Sequence, residues 1–199
     1  MFWDSCVFIR YITADSDGDG YADICRFVED AKRGERKIYF STITFAEIRQ
    51  EHFKPSFGSI QEFFDDLGSN FYPIEPSPNI LVAAGELRSA RSTNPGDPNP
   101  PNKREIGTPD AIHLMTCLYA RDVLGISDIV FNTFDKGNGK GWEGRTVPII
   151  GFERWFPEGT RTQRVKDVCG LTRKPPRHPE PMFESIVTHG RAPQPEDRA

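Results

Sequence analysis

The chain has 199 residues and a formal net charge of −4, a length that fits one domain with some decoration. That charge argues against a protein that coats nucleic acid electrostatically, yet it leaves room for a nuclease whose acidic site is neutralised by cations. No apolar run approaches the roughly 20 residues of a membrane span, and Asp4 and Arg10 interrupt the opening stretch where a signal peptide needs an apolar core.

Met1 to Trp3 is a brief apolar run ended by Asp4 and reads as a first strand. Ser5 then starts an apolar helix through Val7, Phe8, Ile9 and Ile12. Asp15 to Gly20 is an acidic loop. A second helix is expected from about Tyr21 to Arg33, with Ile24, Phe27, Val28 and Ala31 at core spacing and Gly34 as its stop. Lys37 to Ser41 reads as a second strand. Thr44-Phe45-Ala46-Glu47 opens a helix, and Ser59 caps another that carries Ile60, Phe63, Phe64 and Leu67 on one face. Phe71 to Ile74 suits an edge strand, because Pro73 would spoil a central one. Asn79 is expected to cap a helix through Ile80, Ala83, Ala84 and Leu87 to about Arg91.

Thr93 to Lys103 is too rich in Pro, Asn and Gly to pack as an element. A helix from Asp110 to about Leu124 and a strand from Asp128 to Asn132 follow. Gly137 to Gly144 is a glycine-rich turn, Val147 to Ile150 a last strand, and Phe152 to Phe156 closes the body. Residues 1–156 are thus the expected folded domain. Residues 157–199, rich in Pro, Arg and Lys, read as an extended or disordered tail, so a chain cut after Pro157 is expected still to fold. Cys6, Cys25, Cys117 and Cys169 form no C-x-x-C pair, which points to reduced thiols in a cytoplasmic protein and away from a zinc site.

Strands alternating with helices predict a mainly parallel sheet covered on both faces, an α/β/α sandwich. Such sheets place their sites at the carboxyl ends of the strands. Asp4 ends the first strand, Glu47 lies in the helix after the second, Asp110 opens a helix, and Asp135 follows the next strand. Each acid has an ordinary explanation. Thr44-x-x-Glu47 matches a capping box. Thr108-Pro109-Asp110 matches a helix start with a threonine cap. Asp4 precedes a helix, and Asp135 suits a turn. Their conjunction on one rim says more, because four carboxylates repel one another unless cations sit between them. Hard divalent cations take such oxygen ligands.

Four blocks carry a resemblance: Asp4-Ser5-Cys6-Val7-Phe8-Ile9, Ser41-x-x-Thr44-x-Ala46-Glu47-Ile48, Pro109-Asp110-Ala111-Ile112-His113-Leu114 and Asn132-Thr133-x-Asp135. In this order, over about Met1 to Phe156, the chain resembles the PIN-domain family, and most of all the VapC-type ribonuclease toxins of bacterial toxin–antitoxin pairs. The resemblance implies a PIN-like (Rossmann-like) sandwich and Mg²⁺ or Mn²⁺ held by Asp4, Asp110, Asp135 and Glu47. It further implies endonucleolytic cleavage of RNA, a homodimer, and an antitoxin encoded beside the toxin. Thr133 would position a carboxylate or a water. A metal-acidified water attacking the phosphodiester is the expected chemistry. The loops Asp15 to Gly20 and Thr93 to Lys103, and the long tail, depart from the family's compact pattern. A housekeeping RNA-processing nuclease, or a non-catalytic binding protein of the same fold, are the alternatives.

Arg88, Arg91, Lys103 and Arg104 flank the acids in sequence and are candidate RNA-backbone contacts, or equally solvated surface charge. Asp15-x-Asp17-x-Asp19-Gly20 matches half a calcium loop, but Arg26 stands where a bidentate glutamate is needed. His113, one turn past Asp110, reads as a hydrogen-bonded, partly buried histidine that could also reach substrate. Trp3 reads as core, and the basic residues from Arg161 to Arg177 as a solvated tail.

Overall fold

The computed structural model describes residues 1–13, 18–53, 59–93, 104–137 and 146–179. Its centre is a very short strand, β1 (Phe2–Trp3). On one side β1 pairs with β2 (Ile38–Ser41), which pairs with the edge strand β3 (Phe71–Ile74). On the other it pairs with β4 (Val130–Asn132), which pairs with β5 (Thr172–Lys174). All pairings are parallel and the order is β3-β2-β1-β4-β5. The expected α/β sandwich with a parallel sheet is therefore present.

Neighbouring residues of a strand face opposite sides of its sheet, and two residues of β1 suffice to seed two cores. Phe2 goes to one face, where its ring stacks on Phe131 at 5.4 Å. That face is covered by α5 (Pro78–Arg88), α6 (Thr108–Asp122) and α7 (Gln163–Cys169). Trp3 goes to the other, edge-on to Phe8 at 5.2 Å. There it meets α1 (Ser5–Ile12), α2 (Tyr21–Lys32) and α4 (Ile60–Leu67). Full burial of aromatics of this size contributes about 1.5–3 kcal/mol each, so β1 organises the fold despite its length. Pro73 sits in the edge strand β3, as its missing N–H requires.

Several local expectations are corrected. The α5 cap is Ser77, whose hydroxyl accepts from the Ile80 amide, with Pro78 in the first turn and Asn79 inside the helix. Gly107, not Thr108, stands at the α6 N-cap position. Thr44 is not a capping residue: α3 (Thr44–Glu47) is preceded by Ile43 and has no side-chain cap. Residues 147–150 are not a strand. Val147 and Ile149 are buried, and a single parallel bridge joins Glu105 to Thr146 beside them.

The largest correction concerns the tail. Its first part supplies α7 and the fifth strand, with Val165, Val168 and Leu171 in the core. Arg173 anchors it. Its side chain is 6% exposed, donates to the Ile149 carbonyl at 3.1 Å and the Val168 carbonyl, and pairs with Glu153 at 2.7 Å. Composition reads this charge as a solvated one, because its partners, the Val168 carbonyl at the end of α7 and Ile149 and Glu153, 24 and 20 residues back, are invisible in it. Residues 180–199 lie outside the described residues, as do Asp15, Asp17 and Lys103.

Because β5 and α7 close the sheet edge and one core, a chain truncated after Pro157 is expected to lose its cooperative thermal transition. Leu171→Ala is expected to cost roughly 2–5 kcal/mol in denaturant titrations, whereas a true tail would leave both measurements unchanged.

Candidate functional site

The carboxyl ends of β1, β2 and β4 open on one rim, and each is followed by an acid or leads into one. Asp4 comes directly after β1, where its amide donates to the Asn132 carbonyl at 3.0 Å and ties it to the end of β4. Its Oδ1 accepts from the Ser5 amide at 2.8 Å, so it also caps α1. Its Oδ2 accepts from Thr133 Oγ1 at 2.7 Å and from the Cys6 thiol at 3.2 Å. Thr133 Oγ1 in turn accepts from the Asp135 amide at 3.1 Å. One fully buried hydroxyl thus links the Asp4 carboxylate to the Asp135 backbone amide.

Asp135 is held from both ends of its carboxylate. Oδ1 accepts from the Gly137 amide and Oδ2 from the Ile149 amide, each at 2.9 Å. The turn bonds and a place in the cleft therefore coexist: the amides fix the side chain at the cleft wall. Residues 147–150, read from the sequence as a strand, instead lead into a turn; the Ile149 amide makes one of these bonds and the Ile150 amide donates to the Asp135 carbonyl.

Glu47 sits at the last position of α3, at about a quarter of its side-chain exposure, with Oε2 2.6 Å from His113 Nε2. His113 is fully buried, and the same nitrogen is 3.8 Å from Asp4 Oδ1. Burial alone would lower the imidazole pKa. The bond to Glu47 and the charges of Asp4, Glu47 and Asp110 outweigh that and hold it above its ordinary value. His113 Nδ1 and Thr44 Oγ1 are buried without a hydrogen-bond partner among the described residues.

Asp110 occupies the first turn of α6, where the helix dipole favours a carboxylate. Burial, Asp4 and Asp135 together push its carboxyl up to about 7, with Glu47 adding and His113 opposing. Gly107 makes this approach possible, since a Cβ there would collide with Asp110 Oδ2. Asp4, Glu47, Asp110 and Asp135 line one cleft of about 550 Å³, together with Cys6, Arg10, Phe134 and Lys136.

The donor chemistry suits a hard divalent cation, because four carboxylates supply only oxygens. Among the described residues no three His, Cys, Asp or Glu side chains stand as a group that could hold a metal ion. Asp110 is pushed toward protonation and Glu47 is turned onto His113, two ways of lowering negative charge without a cation. Each carboxylate oxygen has two lone pairs, so those already bonded to amides keep acceptor capacity.

The arginines that flank the acids in sequence do not line the acid cleft. Arg88, Arg91 and Arg104 line a separate cleft of about 370 Å³. Arg104 stacks on Trp155 at 4.7 Å and donates to the Gly137 and Thr146 carbonyls, so it braces the loops behind Asp135. The cations that do reach the acids, Arg10 and Lys136, were missed by sequence reasoning. Lys136 follows Asp135 directly, and Arg10 belongs to the same helix that Asp4 caps, which was the available signal. Of the calcium-like loop, Asp19 and Asp23 pair with Arg177 instead.

Comparison with known protein families, with curated proteins and with solved structures found no match to this chain.

The raised Asp110 pKa gives a signed prediction. Stability from this group is fully present below its ordinary value of 3.8 and is lost as pH rises through about 7. In EDTA, Asp110→Asn is therefore expected to raise the melting temperature by roughly 3–8 °C at pH 8 and to change it little near pH 4. Mg²⁺ or Mn²⁺ should stabilise the unsubstituted protein more at pH 8 than at pH 5, and the variant less at either pH.

Proposed function

We propose that this chain is a Mg²⁺- or Mn²⁺-dependent endoribonuclease that hydrolyses RNA phosphodiester bonds, and that it acts as the toxin of a toxin–antitoxin pair. The observation that carries the enzymatic reading is the meeting of Asp4, Glu47, Asp110 and Asp135 in one open cleft, each delivered by a different segment of the fold. The toxin role, the cytoplasmic location, the homodimer and the antitoxin partner rest on the resemblance of the four acidic blocks to VapC-type PIN domains. No helix of the described residues is long and apolar enough to cross a membrane.

In this reading Asp4, Asp110 and Asp135 would draw together around a cation, with Glu47 completing the set, a grouping the side chains do not make without it. When bound, the cation neutralises charge on phosphoryl oxygens and acidifies a water. The chain's own residues prepare that site. Thr133 keeps Asp4 and Asp135 in register with each other. His113 orients Glu47 and balances part of the negative charge. Asp110 exchanges a proton at its carboxyl group as the site charges and discharges, near neutrality in the metal-free protein.

Purified protein with Mg²⁺ or Mn²⁺ is expected to cleave a mixed RNA pool. Cleavage should vanish in EDTA and fall by at least about a hundredfold in Asp110→Asn, the scale on which removing one preorganised charge acts. Cleavage that survives both controls would reject the four-carboxylate site. A folded protein that binds RNA or another partner without cleaving it would favour the non-catalytic reading of the same fold.

A further inference from the structure

Any phosphodiester approaching this cleft meets four carboxylates, so a fixed cation is needed beside the divalent ion to hold the strand. Arg10 meets that need. It lies in the last turn of α1 and lines the acid cleft. Its guanidinium lies over the Phe134 ring, 3.8 Å from the centroid. Its Nη1 donates to the Asp19 backbone carbonyl. Both direct partners are neutral, a backbone carbonyl and a ring, and no carboxylate oxygen is paired with the guanidinium among the described residues, although the Asp19 carboxylate lies near enough to feel its charge. The ring holds the guanidinium carbon in place, and a planar fork is the geometry that grips two phosphate oxygens at once.

What holds the Asp19 carbonyl in place comes from the far end of the chain. Arg177 donates to Asp19 Oδ1 at 2.6 Å and to Asp23 Oδ2 at 3.3 Å. Next to it, His178 lies against the Phe27 ring at 4.9 Å and bonds Asp30 at 2.8 Å. Asp30 is buried and also accepts from Arg33 and Arg36. Gly20 lets the loop pass close beneath, since a Cβ there would sit 3.2 Å from the Phe134 ring in a backbone with φ +84°. The segment after β5 is thus pinned to α2 at a point that sets one wall of the cleft.

We propose that Arg10 grips a phosphate of the bound RNA strand beside the carboxylates, and that Arg177 is a positioning residue that sets Arg10 through Asp19. The proposal rests on the nuclease reading and names the side chain that reading lacks.

The test uses the full chain, a labelled single-stranded RNA, and the variants Arg10→Ala, Arg10→Lys, Arg177→Ala and Arg10→Ala/Arg177→Ala. In Mg²⁺ or Mn²⁺, Arg10→Ala should raise KM about tenfold or more, as loss of a charge-assisted hydrogen bond does. It should also flatten the salt dependence of binding by about one phosphate contact, ~0.7 in the log–log slope. Arg10→Lys should keep the slope and recover part of KM. Arg177→Ala should raise KM less, and add nothing in the Arg10→Ala background, with melting temperatures of all four close to that of the unsubstituted protein. Unchanged KM and slope in Arg10→Ala would overturn the phosphate contact, and additive effects would overturn the positioning role. If the unsubstituted protein does not cleave, the nuclease reading fails separately. The same RNA then tests the contact by fluorescence anisotropy: binding weakened in Arg10→Ala upholds it, while binding unchanged in the variant, or absent altogether, overturns it.

Discussion

The hydroxyl of Thr133 donates to Asp4 and accepts from the amide of Asp135, and much of the molecule is arranged around that double bond. It joins the two central strands at the point where their acids leave the sheet. Buried and fully satisfied, it removes the freedom that two like-charged side chains would otherwise use to move apart. Asp4 is further locked by the Ser5 amide and Asp135 by two more amides. Electrostatic repulsion between carboxylates is opposed here by neutral donors that cost no reorganisation.

The balance is incomplete, and the remaining charge is taken up on α6. Asp110 sits in the first turn of that helix and His113 one turn on, so the same surface carries an acid held toward protonation and a buried imidazole held toward it as well. The causes are opposite in kind. Burial and neighbouring carboxylates disfavour the aspartate anion, while the same carboxylates favour the imidazolium. Both shifts reduce the negative charge of the cleft, and both answer the same excess. A divalent cation would answer it with one charge centre, which is why the acidic set and the proposed chemistry belong together.

A second theme is that three basic residues of the described carboxyl-terminal segment tie it to the body. Arg173 is buried against backbone carbonyls, Arg177 ties the Asp19 loop, and His178 joins Asp30. A buried charge is tolerated only when paired and hydrogen-bonded, as Arg173 is; Arg177 is exposed, and its ion pairs join segments more than 150 residues apart in sequence. The segment therefore has little apolar signal of its own yet closes one sheet edge and supports the cleft.

The chain's own letters were enough to determine the alternation of strands and helices, the parallel sheet, the edge position of the Pro73 strand, and that Asp4, Glu47, Asp110 and Asp135 would lie along one rim. Those features are local: apolar periodicity, proline chemistry and short acidic blocks carry them. Tertiary structure alone decided what depends on distant partners. It paired Glu47 with His113 where a capping box had been read, put Arg88, Arg91 and Arg104 in a separate cleft, brought Arg10 and Lys136 to the acids, and turned the expected tail after Pro157 into α7 and β5. Periodicity reports which face of an element is buried, but a polar side chain's role is set by the partner it meets, and that partner is fixed only when the chain has closed on itself.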